Sequence, residues 1–592
     1  MTSQKTAPNA SIAITGGDRT VQLCTGLFIN NQFVEGHGQT IVSTNPADQS
    51  ILAAVHSASV EDVDLAVKAA RHAANTTWGT NTPAADRARL MNKLADGFWY
   101  TLFAQIMEAR LEDLAVLETL DSGKGITWAR GDITESISAF RYYAGLAFSG
   151  TDGQVLEGSD ATGISFTRQE PLGVVAQIVP WVSLSTHPFS YASRKNMMAW
   201  KVAPALAAGC AIVFKPAELT PLATLLFCEM VRDAGYPAGA FNCVNSDGPV
   251  GGHALACHMD VDKIAFTGST HVGKQIAVQA ASSNLKKVGL ELGGKSPNIE
   301  VGPGSEIDAS NSITLVLKSA NIEQAAAWCC LGIFENMGQS CTAASRVLVH
   351  SSIYDEFLSA FVQKASSHKL GDPFDPETYS GPQISKPHLD RIDGYVQSGV
   401  AEGAKIVLGG KRVSRVKKFN ADHQWLEGGN FFEPTIFVDA QPWMKIVKEE
   451  IVRVPLELEI LVLVPDHPLD TVWSRGRGDE IRDETRRSGP CRCKIKGRHC
   501  LVETDDRFGV CKTGSTPSGW GRELGKKGLE EYTITKVNES SFGMKHIYSS
   551  HFPLLRKKLT PYLFHPYLFQ SYQWNYAQNF AWPFDLNGVT KL

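Results

Sequence analysis

From residue 170 to residue 300 short apolar strands alternate with helix-like stretches, and this alternation constrains the fold more tightly than any other feature of the chain. Strands read at Val174–Val179, Ala211–Phe214, Phe241–Val244, Lys263–Phe266 and Val288–Leu292, several closed by Gly, Pro or Ser before a helix begins. Strand–helix alternation implies a parallel sheet with crossover helices. It also places the ligand crevice at the C-terminal ends of those strands. The 592 residues are 43% hydrophobic and 20% charged, which excludes a wholly disordered chain. A net charge of −4 gives no global reason to expect nucleic acid or an anionic membrane as partner. The most apolar run, Ala199 to Phe214, is interrupted by Lys201 and is too short to span a bilayer.

Residues 1 to 20 are mostly polar, without an apolar signal core, and are expected to be disordered. Twelve cysteines in a chain of this length are too sparse for a disulfide scaffold and point to a reducing compartment, with the cytoplasm expected. Leu27-Phe28-Ile29 and Gln32-Phe33-Val34 flank the turn pair Asn30-Asn31. Ser59-Val60-Glu61-Asp62 has the form of a capping box, and Val63, Val67 and Ala70 follow at helical spacing. Pro83 to Leu120 is also helix-like, with Leu90, Leu94 and Phe98 on one face. These faces are read as core packing.

Four segments carry chemistry. Cys341 follows Gly338-Gln339-Ser340 in a polar turn. A lone cysteine is more often a small buried hydrophobe, but one in a turn can be activated by nearby backbone amides. Glu291, at the end of an apolar strand beside Gly293-Gly294, is placed to become a partly desolvated general base or, alternatively, a helix-capping carboxylate. Lys215 and Glu218 can hold a ribose diol from two sides or form an ordinary ion pair. Gly268-Ser269-Thr270 joins a strand to a helix start, an arrangement suited to a pyrophosphate.

Together these segments resemble the NAD(P)-dependent aldehyde dehydrogenase superfamily, specifically the general aldehyde and betaine-aldehyde dehydrogenases. The resemblance runs from about 26 to 451 and resumes at 518 to 537. Further matches are Pro171-Leu172-Gly173-Val174-Val175, Ala203-Pro204-Ala205-Leu206, Glu433-Pro434-Thr435-Ile436 and Gly519-Trp520-Gly521-Arg522-Glu523-Leu524-Gly525. It implies an α/β fold: a Rossmann-type cofactor domain (21–150 and 172–290), a catalytic domain (291–451) and a small β oligomerisation arm (151–171 and 518–537). By resemblance, Cys341 is the nucleophile and Glu291 the general base. Lys201, Lys215, Glu218, Gly248, Gly268, Ser269, Leu292 and Glu450 are cofactor contacts. The implied reaction oxidises an aldehyde to its acid through a cysteine thiohemiacetal and thioester. A carboxylate at Glu218 favours NAD over NADP. A small-molecule aldehyde is the expected substrate and a homodimer or homotetramer the expected assembly, with no nucleic acid or membrane partner.

The text departs from the family in three places. After Pro180-Trp181 the family has an oxyanion-donating asparagine; here stands Val182, and Ser183 to Asn196 has no counterpart. Val301 to Ser319 is inserted, polar and loop-like. From Val452 to Pro517 the text is foreign, rich in Arg and Cys and without clear periodicity. Each break begins at or beside a valine, whose codons open with the GT of an intron, so the breaks resemble retained introns and a frameshifted stretch. The aromatic-rich 538–592 reads as an extra tail. Cys491, Cys493, His499 and Cys500 lack the usual zinc spacing, so no metal is expected. The other reading of the chain is a silent homologue that binds nucleotide or serves as a structural subunit; Val182 favours it, while Cys341 and Glu291 oppose it.

Overall fold

The computed structural model describes residues 7–95, 106–156, 163–180, 197–293, 297–300, 313–316, 318, 320–340, 343, 345–421, 423–449, 460–465 and 520–541. The expected strand–helix alternation builds a seven-stranded sheet. Its strands are β1 (Leu27–Ile29), β2 (Gln32–Val34), β3 (Val174–Ile178), β4 (Ala211–Lys215), β5 (Phe241–Cys243), β6 (Lys263–Gly268) and β7 (Lys287–Leu292), in the order β7-β6-β3-β4-β5-β1-β2. The five strands from β3 to β7 pair in parallel. β1 and β2 close the edge as an antiparallel hairpin, turned through Asn30 and Asn31 at φ 55° and 62°, a conformation asparagine tolerates. The chain leaves β3 toward β4 and β5, then returns to β6 on the other side of β3. That reversal opens a crevice beyond the strand ends.

Apolar strands buried on both faces need helices above and below. Helix α1 (Val60–Thr76) starts at Ser59, whose hydroxyl accepts from Asp62 N–H while the Asp62 carboxylate accepts from Ser59 N–H. Val63, Ala66, Val67, Ala70 and Ala73 form its buried face. Helix α2 (Met197–Ala208) is buried almost all round, and carries Lys201 into the interior with it. Helices α3 (Leu222–Ala234) and α4 (Thr270–Ser282) complete the crossovers. Each fully buried Leu, Val, Ile or Phe contributes roughly 1.5–3 kcal/mol.

A second sheet follows: β8 (Pro297–Glu300), β9 (Ile313–Val316), β10 (Arg346–Val349), β11 (Lys405–Leu408), β12 (Thr435–Val438) and β13 (Ile460–Pro465), in the order β8-β9-β10-β13-β12-β11. Only β11 runs antiparallel to its neighbour. Helices α5 (Ile322–Phe334), α6 (Tyr354–Ser366) and α7 (Lys386–Ala401) belong to this half, with Phe334, Phe357 and Phe361 in one core cluster.

Three expectations are corrected. Residues 11 to 24, expected disordered at least to 20, form an antiparallel hairpin, because Ile14, Val21 and Leu23 alternate inward and are buried. Ile313–Val316 is a strand rather than loop, paired to β8 and β10. Ile460–Pro465 is likewise a strand, inside the stretch read as aperiodic. Its run Ile-Leu-Val-Leu-Val suits a strand flanked on both edges by β10 and β12.

The described chain divides into two units, residues 1–153 with 168–536 and residues 154–167 with 537–592. The second holds an antiparallel pairing of Val155 with Phe166 and of Leu156 with Ser165. No helix among the described residues is long and apolar enough to cross a membrane.

Candidate active site

Lys215 ends β4, and its ammonium is buried. Burial pushes its pKa down, against the pull of the Glu218 and Asp247 carboxylates. Glu218 Oε2 lies 3.7 Å from Lys215 Nζ on a half-exposed side chain. Gly248 follows Asp247 in a wide turn that Asp247 Oδ1 caps by accepting from Val250 N–H at 2.7 Å. A Cβ built on Gly248 meets nothing within 4 Å, so the turn borders open space beside the lysine. Across the reversal point, Gly268 ends β6 and Ser269 caps α4, its hydroxyl accepting from Val272 N–H at 3.3 Å. Thr267 pairs in register with Glu291, and Gly268 with Leu292. Leu292 is buried, and Gly273 makes room for it: a Cβ there would sit 2.5 Å from Leu292 Cδ2.

These groups suit a dinucleotide. A buried cation stands beside a carboxylate, a capped helix start lies across the reversal point, and the Thr267 hydroxyl there is buried without a described partner. Among the described residues no group of three or more His, Cys, Asp and Glu side chains could hold a metal ion.

Glu291 is buried near the end of β7. Trp520–Glu523 lies against that strand: Trp520 Nε1 donates to Val288 O at 3.0 Å and Gly521 N–H to Leu290 O at 2.9 Å. A Cβ on Gly521 would lie 2.9 Å from Glu291 Oε1 and 3.1 Å from Leu290 O, so the missing side chain lets the backbone pass close to the carboxylate. Two residues on, Glu523 Oε1 is paired with the buried Lys201 Nζ. Lys201, expected on the cofactor side, is thus engaged by Glu523, two residues beyond the glycine that covers Glu291. No role was read for Glu523 in sequence. The one signal there was the Gly-Trp-Gly-Arg-Glu-Leu-Gly run, which sets one carboxylate in a stretch with three glycines.

Cys341 and Glu450 lie outside the described residues, as do Val182 and the four possible zinc ligands. The turn leading to Cys341 is described. Within it Asn336–Gly338 is left-handed, with φ 51° at Asn336, 57° at Met337 and 69° at Gly338. For Asn and Met this costs roughly 1–2 kcal/mol each. Asn336 Nδ2 donates to Gln339 O at 2.9 Å, Gln339 Oε1 accepts from Ile384 N–H at 3.1 Å, and Gln383 Nε2 donates to Met337 O at 3.3 Å. Sequence reading gave neither Gln339 nor Gln383 a part in this arrangement.

The sequence pattern of the aldehyde dehydrogenase family matches residues 33–453. An aldehyde dehydrogenase of Davidiella tassiana is 40% identical over 522 residues, covering 87% of this chain and 94% of that protein. An aldehyde dehydrogenase from Bacillus cereus, solved as its NAD+ complex, superposes with a TM-score of 0.70 at 35% identity, over 87% of this chain and 96% of that one. A betaine aldehyde dehydrogenase variant from Staphylococcus aureus, also with NAD+, gives a TM-score of 0.70 at 30% identity, over 88% and 97%. With family pattern, relatives and fold in agreement over most of its length, the chain belongs to the aldehyde dehydrogenase family.

Proposed function

We propose that the chain oxidises an aldehyde to its carboxylic acid with NAD, using Cys341 as nucleophile and Glu291 as general base. The observation that carries this is Glu291: a carboxylate buried at a strand end and covered by Gly521, two residues before the Glu523 that pairs with Lys201. The Cys341 thiolate attacks the aldehyde carbon, and the tetrahedral thiohemiacetal collapses to a thioester. NAD, when bound, supplies the acceptor for the hydride leaving that carbon. Glu291 then takes a proton from the water that hydrolyses the thioester and releases the acid. Lys215 and Glu218 are the residues for the adenosine ribose, Ser269 with Gly268 for the pyrophosphate, Gly248 and Leu292 for neighbouring parts of the cofactor, and Glu450 for the nicotinamide ribose. Lys201 pairs with Glu523, two residues beyond the Gly521 that covers the base.

The test is NADH formation at 340 nm with acetaldehyde or betaine aldehyde. Cys341→Ala abolishes it while NAD binding, followed by fluorescence quenching, survives. NADH production by purified Cys341→Ala would sink the assignment.

A further inference from the structure

Asn336, Met337 and Gly338 are three consecutive left-handed residues, and all three are buried. Asn and Met stay in that region only where their surroundings hold them. Part of the hold is internal, from Asn336 Nδ2 to Gln339 O. From outside, the segment Gln383-Ile384 contributes: Ile384 N–H donates to Gln339 Oε1, and Gln383 Nε2 donates to the Met337 carbonyl at 3.3 Å. Gln383 is itself anchored. Its N–H donates to Asn430 O at 2.8 Å, and Asn430 N–H donates to Pro46 O at 3.0 Å. The Gln383 side chain is buried, and its Oε1 accepts from no described group. An unsatisfied buried acceptor is costly, so an apolar side chain would suit this place better unless the amide donor has a task. Its described contact is the carbonyl of the residue at the centre of the left-handed turn.

We propose that Gln383 is a positioning residue for the dehydrogenase reaction: its side-chain amide holds the Met337 carbonyl and so fixes the turn that leads through Gln339 and Ser340 to Cys341. The proposal rests on the reading of Cys341 as nucleophile. With the donor removed, the turn relaxes toward ordinary backbone angles and the reactivity of Cys341 falls, while the nucleotide crevice at Lys215 and Ser269 is untouched.

Two variants of the full chain test it. Gln383→Met has no donor at any pH. Its kcat falls about ten- to a hundredfold and Cys341 alkylation by iodoacetamide slows in parallel, while the KM for NAD stays within about twofold. Gln383→Glu keeps the shape and can donate only when protonated. Its kcat relative to wild type is therefore high at low pH and falls as pH rises through the variant carboxyl pKa, down to the level of Gln383→Met. A merely structural role gives no such titration. Wild-type kcat and alkylation rate in folded Gln383→Met overturn the proposal; so does a Gln383→Glu to wild-type ratio that is flat with pH, which also decides the matter if Gln383→Met does not fold. An active Cys341→Ala defeats the underlying reading, whereas an inactive Cys341→Ala beside a fully active Gln383→Met defeats this proposal alone.

Discussion

Glu218 lies three residues beyond a fully buried lysine, yet its own side chain is 49% exposed. A carboxylate so placed repels a 2′-phosphate, but water screens much of the effect. At an effective dielectric between that of water and that of a protein surface, the repulsion is on the order of 1–2 kcal/mol, about five- to thirtyfold. The expected result is a kcat/KM for NAD that exceeds that for NADP by this factor and a preference that shrinks in Glu218→Gln. Equal values for both cofactors in the unaltered protein would show the carboxylate turned away. Individual residues were legible where local pattern sets their environment: Glu291 follows from an apolar strand ending in glycines, and Ser269 from a strand–helix junction. Glu523 was not, because its partner Lys201 is 322 positions away. Gln383 was hidden for the same reason, since what it holds is a carbonyl 46 positions back. No window of sequence contains such a pair.

Elements followed the same logic. The parallel strands β3 to β7 were readable because each apolar run ends in turn residues, and α1 because its cap and its 3.6-residue stripe agree. The strands β9 and β13 were missed, being four and six residues long within polar or Arg-rich text; what makes them strands is the neighbour on either side. The second half also carries a pH liability. Burial, with Lys364 and Arg391 adding to it, pushes His368 down to about 4 and His388 down to about 3. The unfolded chain takes up these protons near pH 6.5, whereas the native one refuses them. The stability these groups allow is therefore present above 6.5 and is lost as pH falls toward about 4. A tenfold difference in proton affinity is worth about 1.4 kcal/mol, so roughly 3 kcal/mol per histidine is gone by pH 4. Urea midpoints of wild type should fall more steeply between pH 7 and pH 5 than those of His388→Gln. Parallel slopes would mean that His388 takes up its proton in the native protein over the same pH range as in the unfolded chain.

For the whole molecule, the family match runs over residues 33–453, while Val182–Asn196 and most of 452–517 were read in the sequence as unlike the family. An enzyme lacking one oxyanion donor at Val182 would run about a hundred- to thousandfold below one that has it. The spliced messenger is accordingly expected to lack the codons for Ser183–Asn196 and to read 452–517 in another frame, and its product to exceed the 592-residue chain in activity by about that factor. A messenger that keeps those codons, together with full activity of the long chain, overturns this. The segment from Trp520 onward has a further consequence, for the order of assembly during synthesis. The cofactor sheet is complete once residue 292 has emerged, and the second sheet once residue 465 has. Yet Lys201 and the ammonium of Lys263, which lies 2.7 Å from Glu531, must wait in the nascent chain for carboxylates translated well over two hundred residues later. Until then two buried lysines stand without those counter-ions, and Glu291 without the backbone of Gly521 that covers it. Ribosome-bound intermediates should therefore hold most of the nucleotide crevice before they can do chemistry, so that a translating chain can bind its cofactor early while its catalytic power arrives only with the last segment.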